Sequence, residues 1–389
     1  MRWVLMRLCF MGWSSAAMVV AADPYREPEA RDAREGTKDE PFMRTLALPE
    51  AARFLDEGAH LMESNCYACH STFTHLAARS ILDPLAPEVM KSRVMLERFN
   101  ALMFDPQKAK LVKTHHVSRV RVLSAIELAR HDAVTTGTLA PTTRRMLDHL
   151  WSYQTSEGGI DWIRVKEAPQ AIDNYWPAMM MAVGVGIAPD GYASTDKAKA
   201  GLDKLRGWFK AHPPQTLHER GLVLISHSAM GGLVSEGEIR DHVAAIFAKQ
   251  HSDGGWSMVD LAPWTRKDNK PLDPSLTDGY ATGFLMVALA KGGVTRQDER
   301  LQRGIEWIKT HQRASGGWFT QSPFHRDRIA TNTGTSWVVQ ALEACGEIVR
   351  PTVTAEQFAA ALAEAEKAVP VGVFLPDQDH PPLTAETSP

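Results

Sequence analysis

The sequence predicts an all-α fold, an (α/α)6 toroid in which outer and inner helices alternate around a ring. Two observations lead to this prediction: a recurring turn, and a consistent contrast between the helices on either side of it. Three copies of the turn carry Gln, then Gly-Gly, then an aromatic residue: Gln154, Gly158-Gly159 and Trp162; Gln250, Gly254-Gly255 and Trp256; Gln312, Gly316-Gly317 and Trp318.

The helices that follow these turns, at residues 173–187, 278–291 and 331–347, are apolar on most faces. A helix of that kind is buried on more than one side, whereas the amphipathic helices before the turns suit an outer layer. Weaker copies of the pair occur at 49–64 with 76–82, 89–104 with 117–131, and 198–211 with 217–230. The resulting six pairs, none able to bury its apolar face alone, predict a closed two-layered ring.

The segment Arg303-Gly304-Ile305-Glu306-Trp307, followed by Gln312 and Gly316-Gly317-Trp318, resembles the QW repeat of squalene-hopene cyclases and the related protein prenyltransferases. The resemblance covers residues 147–347 and extends more faintly back to residue 49. It implies a terpene-cyclase-like toroid with a central cavity for an apolar, isoprenoid-like ligand. A shared fold does not by itself decide the activity, which depends on the residues of the site.

Residues at the starts of the inner helices are the first candidates for a site in that cavity. A carboxyl group there can protonate an alkene, and aromatic faces stabilise the resulting cation. The candidate acids are Asp278, Asp173 and Glu219, and the candidate cavity residues are Tyr175, Trp176, Tyr280 and Trp337. Asp173 and Asp278 also occupy positions suited to capping a helix N-terminus, which is the commoner role for such residues.

The resemblance is incomplete at the residues that carry the chemistry. Squalene-hopene cyclases protonate their substrate with an Asp-x-Asp-Asp motif, whereas this chain reads Thr277-Asp278-Gly279-Tyr280, with a single acid. Protein prenyltransferases bind a catalytic zinc ion through Asp, Cys and His, and no matching set occurs here. Polyene cyclisation by the family mechanism therefore does not follow from the resemblance.

The segment Cys66-Tyr67-Ala68-Cys69-His70 fits the attachment motif of a c-type haem. Its two thiols would form thioether bonds to one covalent haem, and His70 would supply an axial nitrogen to the iron, as in cytochrome c. A disulfide, or a partial zinc site completed by His75 and Cys345, are the alternatives. The motif occupies the turn of the first repeat, where other repeats carry Gln and Gly-Gly.

The residue that would complete the coordination of the iron is not evident from the sequence. His115 and His116 stand together at the start of an inner helix and are candidate metal ligands. Met90, Met95 and Met103 are alternatives, although methionines at helical spacing are more often core residues. A five-coordinate iron would favour small-molecule chemistry over plain electron transfer.

The N-terminal segment suggests export. Residues 1–22 have a basic start, an apolar stretch and small residues before a cleavage-type position, which predicts a signal peptide and a periplasmic or secreted protein. We expect a disordered leader at 23–48, one toroid domain at 49–350, a C-terminal helix at 351–375 and a disordered tail at 376–389. Outside the signal segment, no stretch is long and apolar enough to predict a permanent membrane anchor.

The formal net charge of −3 over 389 residues, with no Lys/Arg-rich run, argues against a nucleic-acid partner. The leading hypothesis is an exported haem-c protein on a cyclase-like toroid, which exchanges electrons with an apolar ligand or a redox partner protein. The alternatives are a terpenoid cyclase or isomerase that uses an Asp acid, a haem-dependent oxidoreductase, a non-catalytic ligand-binding toroid, and a polysaccharide-active enzyme with paired carboxylates.

Overall fold

The computed structural model describes residues 36–63, 70–109, 117–162, 168–170, 172–266, 269–323 and 327–369. The predicted signal peptide, the tail after 375, Cys66 and Cys69, and His115 and His116 lie outside these residues. In the part of the chain that is described, the fold is helical, without a β-strand longer than an isolated bridge.

The helices are numbered in chain order. They are α1 (Leu48–Glu63), α2 (His70–Leu82), α3 (Pro87–Met103), α4 (Pro106–Ala109), α5 (Val117–Thr135), α6 (Pro141–Leu150), α7 (Tyr175–Ile187), α8 (Asp196–Ala211), α9 (Leu217–Met230), α10 (Glu236–Phe247), α11 (Met258–Leu261), α12 (Gly279–Lys291), α13 (Glu299–Thr310), α14 (Asp327–Ala344) and α15 (Ala355–Ala368).

Six of these helices form the inner layer of a closed ring. Around the ring α2, α5, α7, α9, α12 and α14 each pack against the next, and α14 packs against α2. The outer helices α1, α3, α6, α8, α10 and α13 each precede one inner helix along the chain and pack against it or its neighbour. The structure confirms the prediction of an all-α toroid made of six outer-inner pairs.

The difference between the layers follows from the pattern of apolar residues. Along α12 every residue from Gly279 to Leu289 is buried, as the uniformly apolar sequence of an inner helix predicts. On α13 the buried positions Leu301, Gly304, Ile305 and Ile308 follow the spacing of a single helix face, and the opposite face is charged. The outer helix therefore presents one stripe to the ring and the other side to solvent.

Each Gly-Gly turn follows one outer helix along the chain and packs against the next outer helix around the ring. Gly158, Gly254 and Gly316 have positive φ angles of 92°, 96° and 101°, which residues with a side chain rarely adopt. A Cβ atom on these residues would also lie within 2.4 Å of a main-chain oxygen of the following outer helix. Glycine is therefore required twice at each turn, once by the backbone angle and once by the close approach.

The second glycine of each turn lies beneath an aromatic side chain of the next outer helix. Gly159 packs against Trp208 of α8, and Gly255 packs against Trp307 of α13. Gly317, in the last turn, packs against Phe54 of α1. The same contact that joins successive repeats therefore joins the last repeat to the first.

The glutamines of these turns reinforce the contact through hydrogen bonds that repeat from turn to turn. The Nε2 atom of Gln250 donates to the carbonyl of Gly254 in its own turn and to the carbonyl of Arg300 in the next outer helix. Gln312 does the same for Gly316, and exchanges two hydrogen bonds with the backbone of Ala47, directly before α1. Each glutamine side chain thus stabilises its turn and fixes the neighbouring helix.

Residues 36–47, within the segment expected to be a disordered leader, also contact the last repeat. Phe42 forms an isolated β-bridge with Arg313, and the carboxylate of Glu40 accepts a hydrogen bond from the amide of Ser315 at 2.9 Å. The folded part of the chain thus begins before the boundary at residue 49 that the sequence suggested. At the other end α15 packs against α3.

We predict that Gly316→Ala destabilises the ring by about 2–4 kcal/mol. The substitution combines an unfavourable positive φ with overpacking against the carbonyl of Glu50. Gly207→Ala is the matched control: Gly207 lies in α8 with open space around the added methyl group, so alanine should stabilise the protein by about 0.5–1 kcal/mol. Urea unfolding of both variants measures the difference, and equal stabilities would refute the role of the turn.

Candidate functional site

A cavity of about 570 Å³ occupies the centre of the ring, and all six inner helices contribute side chains to its wall. This volume lies in the usual range for small-molecule sites. Most of the wall is apolar, and its principal side chains are Phe73, Leu123, Met179, Met180, Val183, Ile225 and Val287. The cavity is therefore suited to a molecule with a hydrocarbon body.

Aromatic side chains form the wall toward the end at which the inner helices begin. Trp176 and Trp337 line the cavity, with their ring centroids 6.1 Å apart in an edge-on arrangement. Behind them lie Phe284, 5.3 Å from Trp337, and the buried His218, 4.8 Å from Phe284. Burial lowers the pKa of His218 to about 3, so this histidine is neutral. Its Nε2 atom lies 3.3 Å from the hydroxyl of Tyr280.

The opposite end of the cavity, where the inner helices finish, carries charges and is accessible to solvent. Lys291 at the end of α12 is exposed, and Glu343 and Arg350 lie close by on the wall. Arg350 and Glu343 form a two-pronged ion pair, in which Nη2 donates to Oε2 at 2.8 Å. The cavity thus has an aromatic end and a charged mouth.

A second set of polar groups lies in the wall itself. Glu127 and Arg130 of α5 and Gln340 of α14 all line the cavity. Glu127 is 3% exposed, and burial raises the pKa of its carboxyl group although the nearby Arg130 lowers it. These residues were not among the site residues predicted from the sequence. The signal was present, however, as charged residues within the inner helix α5, Glu127 and Arg130 among them.

Asp278, the first of the predicted acids, is fully buried at the start of α12 and does not line the cavity. Its Oδ1 atom accepts a hydrogen bond from the amide of Ala281 at 3.0 Å, and its Oδ2 atom accepts one from the amide of Met258 at 2.6 Å. Burial raises the pKa of this carboxyl group to about 7, against the lowering effect of the backbone amides. Both oxygens are engaged in capping the helix and holding the preceding loop.

The other two predicted acids cap inner helices at the same end of the ring. Asp173 accepts hydrogen bonds from the amides of Tyr175 and Trp176 at the start of α7. Glu219 completes a capping box with Thr216 at the start of α9. Burial raises the pKa of Asp173, and the nearby Glu219 raises it further. The structure brings these acids toward one another, but as helix caps.

The four predicted cavity aromatics divide into two groups. Trp176 and Trp337 line the cavity, whereas Tyr175 and Tyr280 are buried behind its wall. Tyr175 packs edge-on against Trp208 at 5.2 Å, and its hydroxyl donates to a main-chain carbonyl after α8. Tyr175 therefore connects the inner and outer layers instead of facing a ligand.

The predicted haem motif falls between two described helices. Outer helix α1 ends at Glu63 and inner helix α2 begins at His70, so the connection that contains Cys66 and Cys69 lies outside the described residues. The same is true of His115 and His116.

His75 and Cys345, the two residues that would complete the alternative zinc site, are both buried. His75 is buried, with Nε2 2.7 Å from Asp56 and Nδ1 3.3 Å from the hydroxyl of Ser92. Cys345 is a buried free thiol whose pKa is raised to about 11, mainly by burial. The described portion of the chain contains no group of three His, Cys, Asp or Glu residues arranged to hold a metal ion. None of its helices is long and apolar enough to cross a membrane.

Several known proteins share partial sequence similarity with the chain. A probable squalene–hopene cyclase of Sinorhizobium fredii is 25% identical over 122 residues, which is 30% of this chain and 17% of the cyclase. Sporulenol synthase of Bacillus subtilis is 27% identical over 27% of this chain and 17% of its own length. Terpentedienyl-diphosphate synthase of Kitasatospora griseola is 26% identical over 51% of this chain and 39% of its own.

These matches span only a part of each relative, about a sixth of the length of the first two. No protein-family model matches the chain. Among solved structures, the type II terpene cyclase MstE from Scytonema, in complex with geranylgeranyl dihydroxybenzoate, has a TM-score of 0.45 and 13% identity, covering 77% of this chain and 100% of that chain. The chain is thus similar to terpene cyclases in sequence, and its own helix packing establishes the toroid.

We predict that Asp278→Ala destabilises the protein by about 1–3 kcal/mol, because it leaves two buried backbone amides without an acceptor. Asp298→Ala is the matched control, since Asp298 caps the outer helix α13 from a partly exposed position. Its loss should cost about 0.5–1 kcal/mol. Chemical denaturation of the two variants provides the comparison. A cost for Asp278→Ala below that of Asp298→Ala would contradict the capping role.

Proposed function

We propose that the ring binds an apolar, isoprenoid-like small molecule in its central cavity. The observation that carries the proposal is the apolar wall built by all six inner helices, with Trp176 and Trp337 toward one end and a charged mouth at the other. Transfer of a hydrocarbon from water to such a wall is favourable in proportion to the apolar area that both surfaces bury. The charged mouth leaves one end of the ligand near solvent.

The similarity to terpene cyclases supports this class of ligand. Two of the similar proteins are named as squalene–hopene cyclase and terpentedienyl-diphosphate synthase, which points to isoprenoid compounds. The matches cover too little of those enzymes to transfer their reactions to this chain. The ligand class therefore rests on the cavity of this protein, with the relatives as secondary support.

The described geometry favours binding over acid catalysis by Asp278. A proton donor must reach the reacting carbon, and the carboxyl group of Asp278 faces the backbone amides of Ala281 and Met258 behind the cavity wall. Asp173 and Glu219 are likewise engaged as helix caps. We therefore propose ligand binding as the primary function, with the cyclase or isomerase activity as the alternative.

The haem hypothesis remains a proposal that rests on the motif. Cys66, Cys69 and His70 would hold one covalent haem c, which when bound supplies one-electron redox chemistry. Along the sequence, the motif lies between the end of α1 at Glu63 and the start of α2 at His70. A redox function with electron transfer to a partner protein, or to the cavity ligand, would require export to the periplasm, where the predicted signal peptide would direct the chain.

Diphenylhexatriene, a hydrocarbon that fluoresces in apolar surroundings, tests the binding proposal. We expect a saturable increase in fluorescence with the purified protein. Val183→Trp should weaken this binding at least tenfold, because Val183 lines the cavity and a larger side chain fills it. Val349→Trp is the matched control, since Val349 is 90% exposed and its replacement should leave binding unchanged.

Urea unfolding of Val183→Trp establishes whether the variant is folded before its affinity is compared. Non-saturable fluorescence with the wild-type protein would contradict the proposal. Equal affinities of folded Val183→Trp and Val349→Trp would place the probe outside the ring cavity, and would contradict it as well.

An absorption spectrum tests the haem hypothesis. Expression with the c-type maturation machinery should give protein with a haem spectrum that persists after denaturation, because thioether bonds are covalent. Replacement of both Cys66 and Cys69 by Ala should abolish this signal, whereas Cys345→Ala should retain it. The absence of covalent haem from wild-type protein, matured alongside a known cytochrome c, would refute the hypothesis.

A further inference from the structure

Three polar side chains meet in the largely apolar wall of the cavity: Glu127 and Arg130 of α5, and Gln340 of α14. We call them the polar triad. Arg130 Nε lies 3.3 Å from Glu127 Oε2, and Arg130 Nη1 donates to Gln340 Oε1 at 3.1 Å. Because α2 stands between α5 and α14 in the ring, the second contact crosses the face that α2 presents to the cavity.

The polar triad is held in a defined orientation. The side-chain amide of Gln340 donates to the carbonyl and hydroxyl oxygens of Ser336, one turn earlier in α14. The hydroxyl of Ser336 in turn donates to the carbonyl of Thr74 in α2 at 2.8 Å. The Gln340 oxygen therefore points toward Arg130, and the guanidinium group is fixed from two sides.

Hydrogen-bonding capacity remains unused in this arrangement. Glu127 Oε2 and Arg130 Nε are buried and have no hydrogen-bond partner among the described residues, although they form an ion pair. The described contacts also leave Arg130 Nη2 without an acceptor. Buried polar atoms are normally satisfied, so this wall, lined by both residues, keeps hydrogen-bonding capacity that the described contacts do not use.

Stability alone does not explain an ion pair at this place. Removing two charges from water costs several kcal/mol each, and apolar residues of the same size often give an equal or more stable core. The neighbouring wall is apolar, as Leu123 on the same face of α5 illustrates. The polar triad is therefore better explained by a ligand that it recognises.

We propose that the polar triad binds the hydroxyl group of an apolar alcohol whose hydrocarbon body fills the cavity. This inference rests on the proposed function, and it specifies the class of ligand. A hydroxyl group donates one hydrogen bond and accepts another, which matches the carboxylate of Glu127 as acceptor and Nη2 of Arg130 as donor, since both residues line the cavity. A pure hydrocarbon would leave both groups unsatisfied in a dry cavity, at a considerable cost.

A neutral hydroxyl fits the charges of the site better than a carboxylate does. Arg130 is balanced by Glu127, and Arg350 at the mouth is balanced by Glu343. The inner helices also end at the mouth, where the partial charge of a helix terminus is negative and disfavours anions. Among the described residues of the cavity wall, Lys291 is the remaining cation, and its side chain is exposed to solvent.

Displacement of diphenylhexatriene by phytol and by phytane tests the proposal, because the two compounds share a C20 isoprenoid skeleton and only phytol has a hydroxyl group. With the wild-type protein, phytol should displace the probe at a concentration at least about tenfold lower than the concentration of phytane that is required. Arg130→Met should remove this preference while phytane binding is retained. Arg240→Met, at an exposed position of α10, is the matched control and should keep the preference.

Glu127→Gln provides a second variant with nearly unchanged shape, and it should reduce the preference for phytol several-fold. Equal displacement by phytol and phytane from the wild-type protein would overturn the proposal and leave the binding function intact. Retention of the full preference in folded Arg130→Met and Glu127→Gln would also overturn it. If the probe does not bind at all, the proposed function fails and this inference fails with it.

Discussion

The contact between each Gly-Gly turn and the following outer helix is the constraint on which the rest of the structure depends. At Gly254 and Gly316 the turn approaches a main-chain oxygen so closely that no side chain fits. The glutamine before each turn donates to the same neighbouring helix. Because the last of these turns docks on α1, a local interaction repeated along the chain becomes the closure of a ring.

Closure of the ring determines at which positions of the inner helices apolar and polar side chains can be buried. The inner helices are covered by the outer layer and by one another, so most of their side chains are buried, and α7 and α12 are apolar on nearly every side. Polar side chains at their starts, such as Asp278 and Thr216, satisfy backbone amides that would otherwise be buried without a partner. Glu127 and Arg130 have no such task, since they lie within α5 and away from its ends.

The contrast between these two sets of residues separates structure from candidate function. Acids at helix starts contribute to folding, and their raised pKa values follow from burial. An ion pair within the cavity wall contributes little to stability that apolar residues could not supply. Its position beside an apolar chamber of about 570 Å³ is consistent with recognition of a single polar group on a largely hydrocarbon ligand.

Much of the fold could be predicted from the sequence, because turns such as that at Gln312 and Gly316 require particular residue types at fixed spacing. The site was harder to predict. Whether an inner-helix residue faces the cavity depends on the rotation of the helix, which packing decides. Trp176 and Tyr175 are adjacent in sequence, yet only Trp176 lines the cavity. The interpretation of Asp278 as an acid followed from the resemblance to cyclases, whereas its hydrogen bonds could be recognised only in the folded chain.

A crystal structure of the protein with bound phytol would test the central claim most directly. We expect electron density for the hydrocarbon chain inside the ring, in contact with Val183 and Trp337. We also expect the hydroxyl oxygen to lie within hydrogen-bonding distance of Glu127 and Arg130. Phytol bound only on the outer surface, or inside the ring with its hydroxyl group remote from both residues, would contradict the account.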